Sequence, residues 1–183
     1  MIFMKLKEKY NSAVKPELVK KNGYKNIMQV PRLEKVVLNV GINSKMKDAN
    51  ILEISQNTLR KITGQKPVEK KAKKSISSFK IRQGQIVGLS VVLRKQKMYD
   101  FVDKFINITL PRVRDFRGLN PKSFDGKGNY SVGFREQIAF PEITPVDAEK
   151  LHGLEIVFVT NAKTDAEAKN LLEYLGFPFK KDK

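Results

Sequence analysis

Apolar residues follow two rhythms along the chain. Leu6, Tyr10, Val14 and Leu18 recur every fourth position among lysines and glutamates, which predicts one apolar stripe on an N-terminal helix within residues 1–23. Pro16 should kink or divide that helix, and Gly23 closes it. Residues 33–42 alternate instead, with Val36, Leu38, Val40 and Ile42 on one face and Asn39 on the other, the signature of a half-buried strand. Asp48 can cap a second helix reaching about Thr63, with Ile51, Leu52, Leu59 and Ile62 inward and Gly64 as its stop. Residues 67–73 read as an edge strand, where proline and exposed lysines are tolerated. Residues 86–94 form a buried strand returning beside it, which leaves 74–84 as an exposed loop.

Met98, Phe101, Val102, Phe105 and Ile106 mark a third helix that ends before Pro111. Residues 111–129 keep neither rhythm. Pro111, Gly118, Pro121, Gly126 and Gly128 mix there with arginine and lysine, and structureless stretches of that length are usually functional. Residues 130–140 and 154–160 are further strands. Thr164 with Glu167 forms a capping box for a last helix through Leu171, Leu172 and Leu175 to Gly176, where Pro178 bars continuation. Strands joined by a short loop pair antiparallel, so the pattern predicts an α+β fold: a single domain over residues 1–183, with a mostly antiparallel sheet and helices packed mainly on one face. A chain of 183 residues is an ordinary size for one such core.

Charge changes this picture from a fold into a surface. Lys and Arg exceed Asp and Glu by 23 to 7 over residues 1–100 and by 13 to 12 over the rest, so sixteen units of the net +17 lie in the first hundred residues. The density peaks over residues 66–82, where Lys66, Lys70, Lys71, Lys73, Lys74, Lys80 and Arg82 stand against Glu69 alone. A lysine run is often only a solvated face. Here Ser75, Ser77, Ser78, Phe79 and Gln83 break it with hydroxyls, an amide and a ring, which favours nucleic acid over simple solubility. The lysines do not line an amphipathic helix, which argues against a membrane surface, and no helix-turn-helix or zinc motif is visible, which favours RNA over DNA. Lysine outnumbers arginine 28 to 8, so contacts to the phosphate backbone should dominate over bidentate base reading.

Other chemistries find little support. Cysteine is absent, and His152, read as a surface or capping residue, is the one histidine, so neither a metal centre, a disulfide nor a catalytic group is predicted. Gly126-Lys127-Gly128 continues as a strand rather than a helix, unlike a phosphate-binding loop, and Asn129 stands where an RNA-stacking motif needs an aromatic. Asp115, Asp125, Glu136, Glu142 and Asp147 are expected to neutralise nearby cations or cap turns. The start of the chain turns polar too early for a signal peptide, and no apolar run reaches a membrane span, so a soluble intracellular protein without cofactors is expected. The rival class is an RNA-modifying or nucleotide-dependent RNA factor, motivated by the glycine-rich stretch 118–128.

Several long segments resemble a known family. Met28-Gln-Val-Pro-Arg-Leu-Glu-Lys-Val-Val-Leu-Asn-Val-Gly41, Thr63-Gly-Gln-Lys-Pro67, Phe79-Lys-Ile-Arg-Gln-Gly84 and Pro111-Arg-Val-Arg-Asp-Phe-Arg-Gly-Leu119 are similar, in this order, to the universal large-subunit ribosomal protein L five, bacterial type. Ser123-Phe-Asp-Gly-Lys-Gly-Asn-Tyr130, Phe140-Pro-Glu-Ile143 and Gly176-Phe-Pro-Phe-Lys180 continue the likeness to the C-terminus. The resemblance implies a non-enzymatic cytoplasmic protein of the ribosome's central protuberance that binds 5S rRNA and touches the large-subunit rRNA. It implies rRNA contacts at Asn26, Gln29, Arg32, Asn39, Gln65 and Lys66. The basic loop, with Lys74, Ser75, Ser77, Phe79, Lys80, Arg82 and Gln83, looks like the family's finger toward peptidyl-site tRNA. Arg112, Arg114, Asp115 and Arg117 fall where the family helps form a bridge to a small-subunit protein. No membrane and no homo-oligomer are expected. Val92 and His152 depart from the family's usual threonine and arginine.

Overall fold

The computed structural model describes residues 5–42, 49–144 and 152–180. Its five strands, β1 (Leu33–Gly41), β2 (Val68–Lys71), β3 (Ile86–Leu93), β4 (Tyr130–Phe134) and β5 (Leu154–Thr160), form one antiparallel sheet in the order β2-β3-β1-β5-β4. The edge position of β2 suits its sequence, because all four of its residues are exposed and a proline precedes it. Alternation decides which face each strand buries. Val36, Leu38 and Val40 of β1, Leu89, Val91 and Leu93 of β3, and Leu154, Ile156 and Phe158 of β5 are buried beneath the helices, while Asn39, Val92, Glu155 and Val157 lie on the more open face.

Among the described residues, those within 1–36, 93–132 and 157–183 form one compact unit, and those within 37–92 and 133–156 a second. In the first, α1 (Leu6–Lys9) and α2 (Lys15–Asn22) are joined by a π turn over Tyr10–Val14, and the predicted stripe Leu6, Tyr10, Val14, Leu18 is buried. Pro16 lies inside this helical run and, having no N–H to donate to the preceding turn, divides it as expected, the wider π turn over Tyr10–Val14 taking up the mismatch before α2. Gly23 closes α2 in the left-handed conformation, φ 65°. α4 (Lys95–Lys104) also runs on, through a π turn over Phe105–Thr109 and a 3-10 turn over Leu110–Arg112. The helical stretch therefore passes Pro111, at which the π turn gives way to the tighter 3-10 turn, rather than ending before it. Phe105 packs 5.3 Å from Phe158, which meets Phe177 edge-on at 4.9 Å. α5 (Asp165–Leu175) starts on the predicted cap, Thr164 accepting from the Glu167 N–H, and ends at Gly176, φ 106°.

The second unit carries α3 (Ala49–Thr63) and the β2–β3 hairpin. Leu59 and Ile62 are buried as expected, but Ile51 and Leu52 are half-buried; Ser55 and Thr58, small enough to approach the sheet closely, take the covered positions of the middle turns. The expected cap Asp48 and the carboxylate Asp147 lie outside the described residues. β4 stops at Phe134, short of the expected 140, because residues 137–139 wind into a 3-10 turn that buries Gln137. His152 corrects the surface reading: it is 5% exposed, and its backbone N–H donates to the Gln137 side-chain oxygen at 2.9 Å. The buried amide gives the chain a polar foothold as it enters β5, so the residue faces inward.

Candidate nucleic-acid interface

Four surfaces carry the residues singled out from the sequence. The first lies in the turn after α2. Asn26 starts a 3-10 turn over Ile27–Gln29 by accepting the Met28 N–H on its side-chain oxygen at 2.9 Å. This turn leaves Asn26 and Gln29 exposed and lifts Ile27 and Met28 to 56% and 69% exposure. Arg32 follows, itself exposed between buried Pro31 and Leu33, and its backbone exchanges hydrogen bonds with Asn161: the Arg32 N–H donates to the Asn161 side chain at 2.6 Å and its carbonyl accepts the Asn161 N–H at 3.2 Å. The guanidinium is left to face outward. Ile27 and Met28 are surface residues that hydropathy alone places in a core; a short apolar pair inside a polar turn is the signal that could have found them.

The second surface is the open sheet face of the second unit. Asn39 projects there half-buried, its amide 3.5 Å from the Glu155 carboxylate on neighbouring β5. Gln65 reaches toward the carbonyl of Val92 at 3.5 Å, fixed by a tight turn in which Thr63 Oγ1 accepts the Gln65 N–H at 3.2 Å. Val68 pairs with Ser90 and Lys70 with Gly88, so these four side-chain positions share a face. Gly88 and Ser90 keep the floor of this face low between longer side chains such as Lys70, and amides supply its directional groups. Glu155, missed from sequence, sets a carboxylate acceptor beside Asn39. Lys66 lies just off this face, exposed, at a shallow cavity of about 380 Å³ that Gln56, Asn57 and Arg60 also line.

The third surface is a hairpin arm beyond the β2–β3 pairing. Residues 73–80, together with Arg82 and Gln83, are all exposed, with Phe79 at 63%. The arm is closed at its base by Gly84 N–H to the Ala72 carbonyl at 2.9 Å and Ala72 N–H to the Gln85 carbonyl at 2.8 Å. Nearer the tip, Ile76 and Ile81 exchange backbone bonds of 2.9 and 3.1 Å, and Lys80 N–H closes the turn onto the Ser77 carbonyl at 3.0 Å. Lys80 holds a left-handed φ of 52° there. Lys74, Ser75, Ser77, Phe79, Lys80, Arg82 and Gln83 are thereby brought together, although the Ser75 hydroxyl is occupied as an acceptor from the Gln83 N–H at 2.9 Å.

The fourth surface is the loop 113–129 of the first unit. Arg112, Arg114, Asp115 and Arg117 are exposed at its start, Asp115 with a left-handed φ of 50°. The remainder is anchored. Leu119 is buried and clamped by two backbone bonds, its N–H to the Pro178 carbonyl at 2.8 Å and the Lys180 N–H to its own carbonyl at 2.9 Å. Phe124 and Phe179 flank the buried Tyr130 at 4.7 and 5.3 Å, and the Tyr130 hydroxyl donates to the Asn120 carbonyl at 2.9 Å. Burial pushes that phenol up to about 12. The 126–128 turn, which superficially suggested a nucleotide loop, is filled by the protein's own carboxylates. Gly126 and Gly128 donate their N–H groups to Asp165 at 3.1 and 2.8 Å, while Lys127 and Asn129 donate theirs to Asp125 at 2.8 and 3.0 Å. Asp125 is held below its ordinary value, first by the Asn129 side-chain amide.

Two family models match the chain: one described as the C-terminus of the ribosomal L5 family over residues 86–179, and one described as Ribosomal protein L5 over residues 26–82. Among curated relatives, a large ribosomal subunit protein uL5 of Pseudothermotoga lettingae is 59% identical, covering 98% of each chain. That of Thermosipho africanus is 56% identical over 99% of this chain and 100% of its own, and that of Thermus thermophilus 56% over 96% and 97%.

Proposed function

The chain belongs to the ribosomal protein L5 family, and from that membership we propose that it is a structural RNA-binding component of the large ribosomal subunit, cytoplasmic within the ribosome and not an enzyme. In this reading the open sheet face and the turn after α2 take 5S rRNA within the central protuberance. Asn26, Gln29, Asn39 and Gln65 supply directional hydrogen bonds that set register, while Arg32 and Lys66 neutralise phosphate. A face with a low floor suits the wide, shallow minor groove of an A-form helix. The arm meets peptidyl-site tRNA: Lys74, Lys80 and Arg82 hold its backbone, and Phe79 offers a ring for stacking. Arg112, Arg114, Asp115 and Arg117 face a small-subunit protein across the subunit interface.

The observation that carries the proposal is the concentration of exposed cations on a hairpin closed by its own backbone. A cationic arm gains by releasing condensed counterions from tRNA, and Arg32 and Lys66 gain in the same way on rRNA, so affinity for 5S rRNA should fall linearly in log–log with salt, by about 0.7 to 0.9 per phosphate contacted. A flat salt response would sink the rRNA reading. Replacing Lys74, Lys80 and Arg82 together by alanine should leave 5S rRNA affinity nearly unchanged and weaken peptidyl-site tRNA retention on ribosomes; equal loss of both assigns the arm to rRNA instead. The rival, a nucleotide-dependent RNA factor, loses its motivating feature, because the glycine turn spends its N–H groups on Asp125 and Asp165.

A further inference from the structure

Between its two backbone-paired closures the arm is unequal: Lys73, Lys74 and Ser75 stand on one side, and Arg82 and Gln83 on the other. The short side turns instead of pairing: Arg82–Gln85 closes a backbone turn with Gly84 at φ 80°, and the Arg82 and Gln83 N–H groups meet no opposite carbonyl. Side chains meet both. The Gln83 N–H donates to Ser75 Oγ at 2.9 Å, and the Arg82 N–H donates to Gln85 Oε1 at 3.1 Å, while the Gln85 N–H returns to the Arg82 carbonyl at 3.1 Å. We infer that Ser75 and Gln85 are positioning residues that hold this turn and so preset the direction in which the arm carries Phe79 and its cations.

Each of these bonds is internal to the arm and needs no partner to form. The turn bends the arm's short side, so losing the clasps frees the tip to sample directions other than the one its partner accepts. Apparent affinity then falls in proportion to the fraction of arms correctly aimed. The inference rests on the tRNA reading above for its consequence, and on the hydrogen bonds alone for its mechanism. It also gives Ser75, whose O–H remains a donor, a second role as an internal acceptor, and brings in Gln85, which the sequence offered no reason to choose.

Amide hydrogen exchange on the full-length protein tests the mechanism. Ser75→Ala should speed exchange at Gln83, and Gln85→Ala at Arg82, by about five-fold each, the worth of one exposed hydrogen bond. Ser75→Thr and Gln85→Glu keep the acceptor oxygen and should restore protection. Ribosomes carrying the Ser75→Ala/Gln85→Ala pair should retain peptidyl-site tRNA several-fold more weakly with 5S rRNA binding unchanged. Unchanged exchange at Arg82 and Gln83 overturns the clasp. Lost protection with wild-type tRNA retention overturns the positioning role, provided that the Lys74, Lys80 and Arg82 triple variant does weaken retention. If that variant retains tRNA normally as well, the tRNA reading falls and the clasp stands as a local device only.

Discussion

The arm at residues 72–85 and the loop at 113–129 look alike in sequence, each a basic stretch with glycine in it, yet different forces hold them. The loop is pinned by burial: Leu119 is covered, Tyr130 is enclosed by Phe124 and Phe179, and two aspartates fill its tightest turn. The arm is held by exposed hydrogen bonds, each worth roughly 1 kcal/mol or less. A surface that must keep one shape whatever it meets can be built the first way. One that must reach toward a moving partner is better built the second way, with its energy in local bonds that bend without unfolding the sheet.

The comparison breaks most directly by truncating an apolar side chain in each. Leu119→Ala should lower stability by about 3 kcal/mol, the usual cost of emptying a buried leucine site. Gly118→Ala belongs with it, because at φ 99° an added Cβ would lie 2.8 Å from the Lys180 backbone nitrogen. Ile76→Ala, on the arm and 44% exposed, should cost less than about 0.5 kcal/mol. Denaturant midpoints with unchanged slopes measure all three. A large loss at Ile76 would show that the arm, too, is cemented by a core.

How much of this contrast the sequence held follows from the range of each interaction. Strand alternation and helical stripes are local, so β1, β5, α5 with its capping box, and the exposed arm were legible. The long basic loop at 111–129 was legible as a loop but not as an anchored one, because Leu119 finds its partners 59 or more residues away, at Pro178 and Lys180. His152 failed for the same reason: a histidine beside a glycine reads as a turn until the buried Gln137 that receives it is known. Pro111 was overweighted as a breaker, since the helical run takes it up by tightening from a π turn into a 3-10 turn. Of the candidate site residues, the cations were legible as outward-facing, while Asn39 and Gln65 are half-buried. What distinguishes Ser75 as an internal acceptor, or sets Glu155 beside Asn39, is register, and register is not a local property.

Alkali should separate the two regions next. The Tyr130 phenol is pushed up to about 12, as is that of Tyr10, by burial in each case. The unfolded chain ionises its tyrosines near 10, so over the window from about 10 to about 12 the unfolded state binds fewer protons than the folded one, and stability falls as pH rises. Below 10 this contribution is fully present. Tyrosinate absorbance should therefore show Tyr10 and Tyr130 ionising late, together with the unfolding transition, a signal to which the arm, which holds no tyrosine, contributes nothing. Tyr130→Phe removes its share of the alkaline loss and confirms the assignment if the late absorbance shrinks.

Asp165→Ala should have a smaller effect, about 1.5 kcal/mol, because it orphans the Gly126 and Gly128 N–H groups but leaves the aromatic anchor in place. Thermal denaturation reads it directly. Asp125 gives the matching acid signature. Its carboxyl is held low by Asn129, so its contribution is present above the ordinary carboxylate range and is lost as pH falls through that range and below it. A turn that tolerates Asp165→Ala without loss would mean that burial alone fixes the loop, which sharpens the contrast with the arm further.

The smallest expected change in stability is the most discriminating. Lys80 and Gly118 both occupy left-handed backbone, at φ 52° and 99°, but Gly118 is pressed against the backbone of Phe179 and Lys180. Lys80→Gly removes a left-handed side-chain penalty of about 1 kcal/mol and adds a comparable entropy to the unfolded chain, so stability should move by less than about 0.5 kcal/mol. Binding should still suffer, because one cation leaves the arm: in a filter-binding assay with tRNA, the salt slope should shrink by about 0.7 to 0.9. Fold and function then separate at a single residue. If Lys80→Gly instead melts the sheet, the left-handed lysine is part of the scaffold, and the arm is no freer than the loop.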